Sequence, residues 1–308
     1  MRARETEPQM DVSIVTDEVS ADLDTALELA RSWNVTHVEL RGVGDGRYPR
    51  VGRELRATTP RLIREYGVSV AAISSGLFKI PFPDRAAPLS FYQWSTSASL
   101  RALAAAEEAL EDHLERLLPE CADAAEELGC PIVTCFSFTP GIALHREMLG
   151  VSDDVPDGVI EVIREAGRRL AARGLVLALE NEMTTWGASA ATTAEIVRAV
   201  NEPNVGMTWD AANAYLAGDL PPFPDAYRRV ADLVRLVHFK DVRTNATTGR
   251  REFCVDGEID WVGQFAALQA DGYTGAVSVE THIRPKVAPS RALVERLQGL
   301  LAALPGQA

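Results

Sequence analysis

Eight short apolar runs alternate with amphipathic helical stretches along this chain, and that alternation constrains the fold more than any other feature. The runs fall at residues 12–15, 36–40, 68–74, 131–137, 175–180, 205–210, 233–240 and 275–280. Each is too short for a helix and is bounded by turn-forming residues, the pattern of a buried strand. Between them, residues 21–33, 52–67, 160–173, 191–200, 260–272 and 290–303 carry apolar side chains at helical spacing, as Leu23, Ala26, Leu27 and Ala30 do. Residues 77–88 read as a proline-interrupted loop, and the Ala/Glu/Leu-rich stretch that follows, up to Gly129, reads as helical. Asp260 is placed to cap the helix it opens. Near-continuous apolar strands separated by helices predict a parallel sheet covered by helices. Eight such units predict an α/β fold, a single (β/α)8 TIM barrel over residues 11–308 behind a flexible leader of residues 1–10. The rival, a doubly wound sheet, wants a GxGxxG turn after its first strand. Here that strand runs into TDEVSAD, without a glycine.

Composition narrows function. Of 308 residues, 31 are Lys or Arg and 44 are Asp or Glu, a net charge of −13. That balance disfavours a protein devoted to nucleic acid or to an anionic membrane surface, both of which rest on basic side chains. No apolar run reaches the length of a membrane span. Cys121, Cys130, Cys135 and Cys254 form no CxxC pair, so they are expected as reduced residues of a cytoplasmic protein.

In a barrel of this kind, reactive side chains sit where strands end. The fifth strand ends at Glu180, the sixth at Asp210 and the eighth at Glu280, while the seventh carries His238. These positions are 30, 28 and 42 residues apart, one βα unit each, with an insertion (TNATTGRREFCVDGE) in the last interval. Three carboxylates brought to one point repel one another and raise each other's pKa, unless a cation sits among them. Mixed oxygen and nitrogen ligands suit Mn²⁺ best, with Mg²⁺, Co²⁺, Zn²⁺ and Fe²⁺ open. One divalent ion per chain, held by Glu180, Asp210, His238 and Glu280, is therefore expected.

As a set, these residues resemble the xylose isomerase-like barrels, the sugar phosphate isomerase/epimerase superfamily. Glu180-Asn181 matches the family's Glu-Asn after strand five, and Asp210 its Asp after strand six. Val237 to Asp241 matches VHxKD, and Gly257-Glu258-Ile259-Asp260 matches the Gly-acid-Ile-Asp segment. Gly272 through Glu280 matches the GYxG ending. The chain departs from the pattern at Asn213 and Glu182, where many members carry His, and at Thr244, where ketose 3-epimerases carry Arg. The last departure argues against a plain ketose 3-epimerase. The family also holds keto-inositol and dehydroshikimate dehydratases, hydroxypyruvate isomerases and C-glycoside deglycosidase subunits.

The resemblance implies proton abstraction beside the carbonyl of a keto sugar or its derivative, giving isomerisation, epimerisation or elimination. Glu180 and Glu280 are the expected proton-transfer pair. Lys240, on the face of His238, is expected to stabilise an enolate or to neutralise a carboxylate. His145, on the loop after strand four, is a candidate acid/base. Glu39, Arg41, Glu182, Asn213 and His282 are candidates for contact with substrate, Glu39 and Arg41 having a rim ion pair as the alternative. A carbohydrate or glycoside is the expected partner, in a homo-oligomer, with a small companion subunit if the chain is a deglycosidase. The remaining alternative is a barrel that binds metal without catalysis.

Overall fold

The structure, a computed structural model, describes residues 10–84, 93–140 and 154–305. Among these, eight parallel strands close one barrel: β1 (Asp11–Val15), β2 (His37–Leu40), β3 (Ser69–Leu77), β4 (Ile132–Cys135), β5 (Val176–Glu180), β6 (Val205–Asp210), β7 (Val234–Phe239) and β8 (Ala276–Val279). Every strand pairs with its neighbour in sequence, and β8 returns to β1 in the register Asp11 with Ala276 through Ile14 with Val279. The helices between them are α1 (Leu23–Ser32), α2 (Arg53–Tyr66), α3 (Gln93–Asp112), α4 (Leu118–Leu128), α5 (Asp157–Ala171), α6 (Ala190–Val200), α7 (Ala211–Ala217), α8 (Trp261–Ala270) and α9 (Val287–Ala302).

Local chemistry sets the helix ends. The Asp22 carboxylate accepts from Thr25 N–H at 2.9 Å and starts α1, whose Leu23, Ala26, Leu27 and Ala30 are all buried. Asp260 caps α8 through Gly263 N–H. Ser189 and Thr192 cap each other's backbone in a capping box, so α6 opens one residue before its expected start. The long helical stretch is interrupted by a wide π turn at His113–Leu117, just ahead of Pro119, which has no N–H to give. β3 runs to Leu77, beyond the expected Ser74, because Leu77 still pairs with Cys135 of β4. The insertion after β7 folds into an antiparallel hairpin, Asp241–Thr244 with Arg251–Cys254. Met10 is buried in the core.

Strand alternation layers the barrel interior. Ala72, Ile132, Ala178 and Leu236 pack an apolar floor. Two residues further along their strands come Ser74, Thr134, Glu180 and His238, all buried. Outside the barrel, Phe239 meets Trp261 edge-on at 4.7 Å and Phe265 at 5.8 Å, seating α8 against the strand that carries His238. Such contacts are each worth about 0.5–1.5 kcal/mol beyond the area they bury. No helix among the described residues is long and apolar enough to cross a membrane.

Candidate metal centre

Glu180, Asp210, His238 and Glu280 converge at the C-terminal mouth of the barrel. Each offers one ligand atom, and the four atoms lie within 4.8 Å of one another. All four residues are buried. His238 Nδ1 stands 3.5 Å from Glu180 Oε1, 3.6 Å from Asp210 Oδ2 and 3.5 Å from Glu280 Oε2. Bonds of about 2.0–2.2 Å to one ion place adjacent ligands roughly 3.0–3.5 Å apart, so the spacing fits a shared cation.

The hydrogen bonding of the histidine fits as well. Its Nε2–H donates to both oxygens of Glu39, at 3.1 and 3.2 Å, which leaves the Nδ1 lone pair facing the three carboxylates. Nδ1 has no hydrogen-bond partner among the described residues. A lone pair aimed at three carboxylates is stable only around positive charge. Burial would push His238 towards its neutral form, but Glu39, Glu180 and Asp210 overcome it and hold the ring well above the usual histidine range. The field that draws a proton there draws a metal ion equally.

The ligands are held from behind. Asn181 is fully buried, and its side chain closes two hydrogen bonds on the Asp210 backbone, 2.8 Å to the carbonyl and 2.9 Å from the N–H. This amide clamps the ends of β5 and β6 together. Asp210 splits its carboxylate: Oδ1 caps α7 through Asn213 N–H at 2.8 Å, and Oδ2 faces the site. Asn213 itself donates to Glu180 Oε1 at 3.2 Å and to the Asn181 carbonyl at 3.0 Å. It therefore positions a ligand. Glu39 acts likewise. It is wholly buried, accepts from Ser74 Oγ as well as His238, and orients the imidazole from beneath the site.

Lys240 and Arg41 supply positive charge. Lys240 Nζ lies 2.8 Å from Asp210 Oδ2 and 2.5 Å from Glu280 Oε2. Burial lowers its pKa, but these two carboxylates raise it further, so it stays an ammonium. Of its two expected roles, the geometry shows carboxylate neutralisation. Three ligand carboxylates are then matched by one dication and Lys240. Arg41, expected at substrate hydroxyls, instead forks among Asp17 at 2.7 Å, Glu18 at 2.5 Å and Glu280 Oε1. The ion pairs it forms are with these three carboxylates and not with Glu39. Asp17 and Glu18, in the turn after β1, were not anticipated from the sequence.

His282 stays at the mouth, 3.3 Å from Glu280 and 3.4 Å from Glu18. Burial lowers its pKa, and these two carboxylates more than compensate, raising it to about 9. Its ring also meets Phe253 of the hairpin at 5.1 Å. Glu182 is half-buried and pairs with Lys79 at 3.0 Å. His145 lies outside the described residues. The motif residue Asp241 is structural: Oδ1 accepts from Val242 and Ile259 N–H, and Oδ2 pairs with Arg296 at 2.7 Å. Thr244 N–H and Oγ1 fasten the hairpin to Glu258 and Tyr215. Arg251 donates to the Tyr215 and Leu216 carbonyls, and Arg243 pairs with Glu252.

Comparison with known proteins gives a consistent family. No curated protein matches the chain in sequence. Among solved structures, a xylose isomerase domain protein from Planctomyces limnophilus is similar at 21% identity and TM-score 0.65, covering 96% of this chain and 98% of its own. A xylose isomerase-like TIM barrel protein from Mycobacterium smegmatis, solved in complex with magnesium, is 17% identical, with TM-score 0.66 and 97% and 98% coverage. A D-allulose 3-epimerase from Methylomonas sp., in complex with D-allulose, is 15% identical, with TM-score 0.65 and 96% and 98% coverage. At these identities the structures establish a shared fold. The family model for xylose isomerase-like TIM barrels matches residues 27–303, nearly the whole chain. The chain therefore belongs to the xylose isomerase-like TIM barrel family.

Proposed function

We propose that this protein is a divalent-metal-dependent enzyme of the sugar isomerase/epimerase type, which moves a proton beside the carbonyl of a keto sugar or sugar derivative. The observation that carries this reading is the His238 lone pair facing three buried carboxylates. Glu180, Asp210, His238 and Glu280 hold the ion. When bound, it polarises a substrate carbonyl and lowers the pKa of the adjacent C–H.

The two expected proton carriers are not equivalent. Both oxygens of Glu280 are engaged by cations, Oε1 by Arg41 and Oε2 by Lys240. Glu180 accepts from the Asn213 amide and forms no ion pair with Arg41 or Lys240, so it is the freer base. We assign proton abstraction to Glu180 and charge stabilisation to Glu280, with Lys240 holding Glu280 and Asp210 in place. The His282 imidazolium stands beside Glu280 at the mouth, where it can donate to a substrate oxygen.

A second reading has its own support. Thr244 replaces the epimerase arginine and serves the hairpin instead, and that hairpin sets Phe253 against His282 and Lys240. An aromatic wall there suits a glycoside bearing an apolar aglycone, and hence a lyase of the same family.

Incubation in deuterium oxide with Mg²⁺ tests both. Ketoses that gain deuterium beside the carbonyl, with interconverted products, support the isomerase/epimerase reading. Release of aglycone from a 3-keto-glycoside supports the lyase. Absence of bound metal and of exchange with either class would refute the proposal.

A further inference from the structure

Beside the metal centre lies a cavity of about 320 Å³ lined by Arg47, Arg50, Ser75, Gly76, Lys79, Ile80, His113 and Leu117. Its polar lining consists of three cations, an imidazole and a hydroxyl, with no carboxylate among the described lining residues. In a chain of net charge −13, that is a local reversal of sign. Two of the cations are matched from off the wall: Arg50 by Asp112 and Glu120, and Lys79 by Glu182.

Arg47 is not matched. Its guanidinium has no hydrogen bond or ion pair among the described residues, whereas nearby Arg41 has three carboxylate partners. Its Nη1 rests on the backbone at Gly76, where a Cβ would lie 2.4 Å from it, and Gly76 holds φ +82. Arg47 also borders the neighbouring cavity of about 610 Å³ and lies within electrostatic reach of Asp17, Glu180 and Glu280, with no carboxylate among the described residues paired to it. The other donors are ready. His113 Nδ1 accepts from Phe78 N–H at 2.8 Å, which places its own proton on Nε2. Ser75 Oγ is buried and has no nitrogen or oxygen partner among the described residues.

Neutral hydroxyls do not need a full guanidinium charge held without a counterion; a carboxylate or phosphate does. We infer that this cavity receives the anionic group of the substrate, anchored by Arg47, so that the substrate is an acidic sugar derivative and not a neutral ketose. The inference rests on the reading of the metal centre above, which supplies the reacting end of the same substrate.

The test titrates the full-length protein, with and without Mg²⁺, with inorganic phosphate, D-glucuronate and D-glucose, using calorimetry. Wild type is expected to bind phosphate or glucuronate at least tenfold more tightly than glucose, and the preferred anion tells phosphoryl from carboxylate. Arg47→Ala should weaken that anion about tenfold or more. Arg291→Ala, an exposed arginine that lines neither cavity, should leave it unchanged. Asp210→Asn, which removes a metal ligand, should still bind the anion. Equal binding by Arg47→Ala and wild type, or no anion preference in wild type, would overturn the inference. Anion binding lost in Asp210→Asn but kept in Arg47→Ala would place the anion on the metal and overturn it too. If wild type holds no metal yet shows Arg47-dependent anion binding, the metal reading fails and the anion cavity stands.

Discussion

Glu39 is not one of the four expected ligands, yet its removal should be felt at the metal. It accepts the Nε2–H of His238 through both carboxylate oxygens, at 3.1 and 3.2 Å, in a wholly buried setting. A hydrogen bond to a charged acceptor contributes about 1.5–3 kcal/mol. If that energy serves to orient the imidazole, its loss lowers metal affinity by roughly tenfold to a hundredfold. Glu39→Ala should show the larger part of this loss. Glu39→Gln keeps an oxygen that can accept the N–H and should fall between Ala and wild type. Competition for Zn²⁺ against a chromophoric chelator measures the affinities, and melting in EDTA confirms that each variant folds. Wild-type affinity in Glu39→Ala, or weaker binding by Gln than by Ala, would refute the orienting role.

The remaining predictions follow the same geometry. Mg²⁺ or Zn²⁺ at a hundred times its dissociation constant should stabilise the fold by about 2.7 kcal/mol, seen as a rise of several degrees in melting temperature that EDTA reverses. Gly257→Ala should destabilise the fold by about 1–3 kcal/mol in urea unfolding, because its Cβ would stand 2.4 Å from both Asp241 Oδ1 and the Val242 carbonyl; unchanged stability would show that this turn relaxes freely. Burial pushes the Cys121 and Cys130 thiols from about 9 up to about 12, so native protein at pH 8 should react with a thiol reagent at neither until denatured. Because these acids have raised folded pKa values, the stability they contribute is complete below pH 9 and declines as pH rises from 9 towards 12, which alkaline unfolding measures.

The barrel was legible because each strand is buried on both faces and announces itself as an apolar run, and each helix carries its own caps. The four metal-type residues were legible for a related reason: a charged side chain at the end of such a run has only the barrel mouth to face. What escaped the sequence were relations across the barrel. Glu39 and Arg41 sit two residues apart on β2 and its extension, as polar as any ligand pair, and nothing local tells that one supports His238 while the other forks to Glu280. Asp17 and Glu18 lie in a turn with the composition of any solvated loop, and only the closed barrel brings them to Arg41. The insertion hairpin was hidden because its charged and polar residues read as a loop and its anchor Tyr215 lies 29 residues from Thr244, and Arg47 gains meaning only beside Gly76.

The central claim is that Glu180, Asp210, His238 and Glu280 hold one divalent ion. The most direct test is elemental mass spectrometry of tag-free wild type and Asp210→Asn. Asn is as good a helix cap as Asp, so the variant should keep α7 while losing a ligand charge. The account predicts near-stoichiometric Mn, Mg, Zn, Co or Fe in wild type and its loss from the folded variant. Metal-free wild type that takes up none of these ions on dialysis, or equal metal in both proteins, would contradict it.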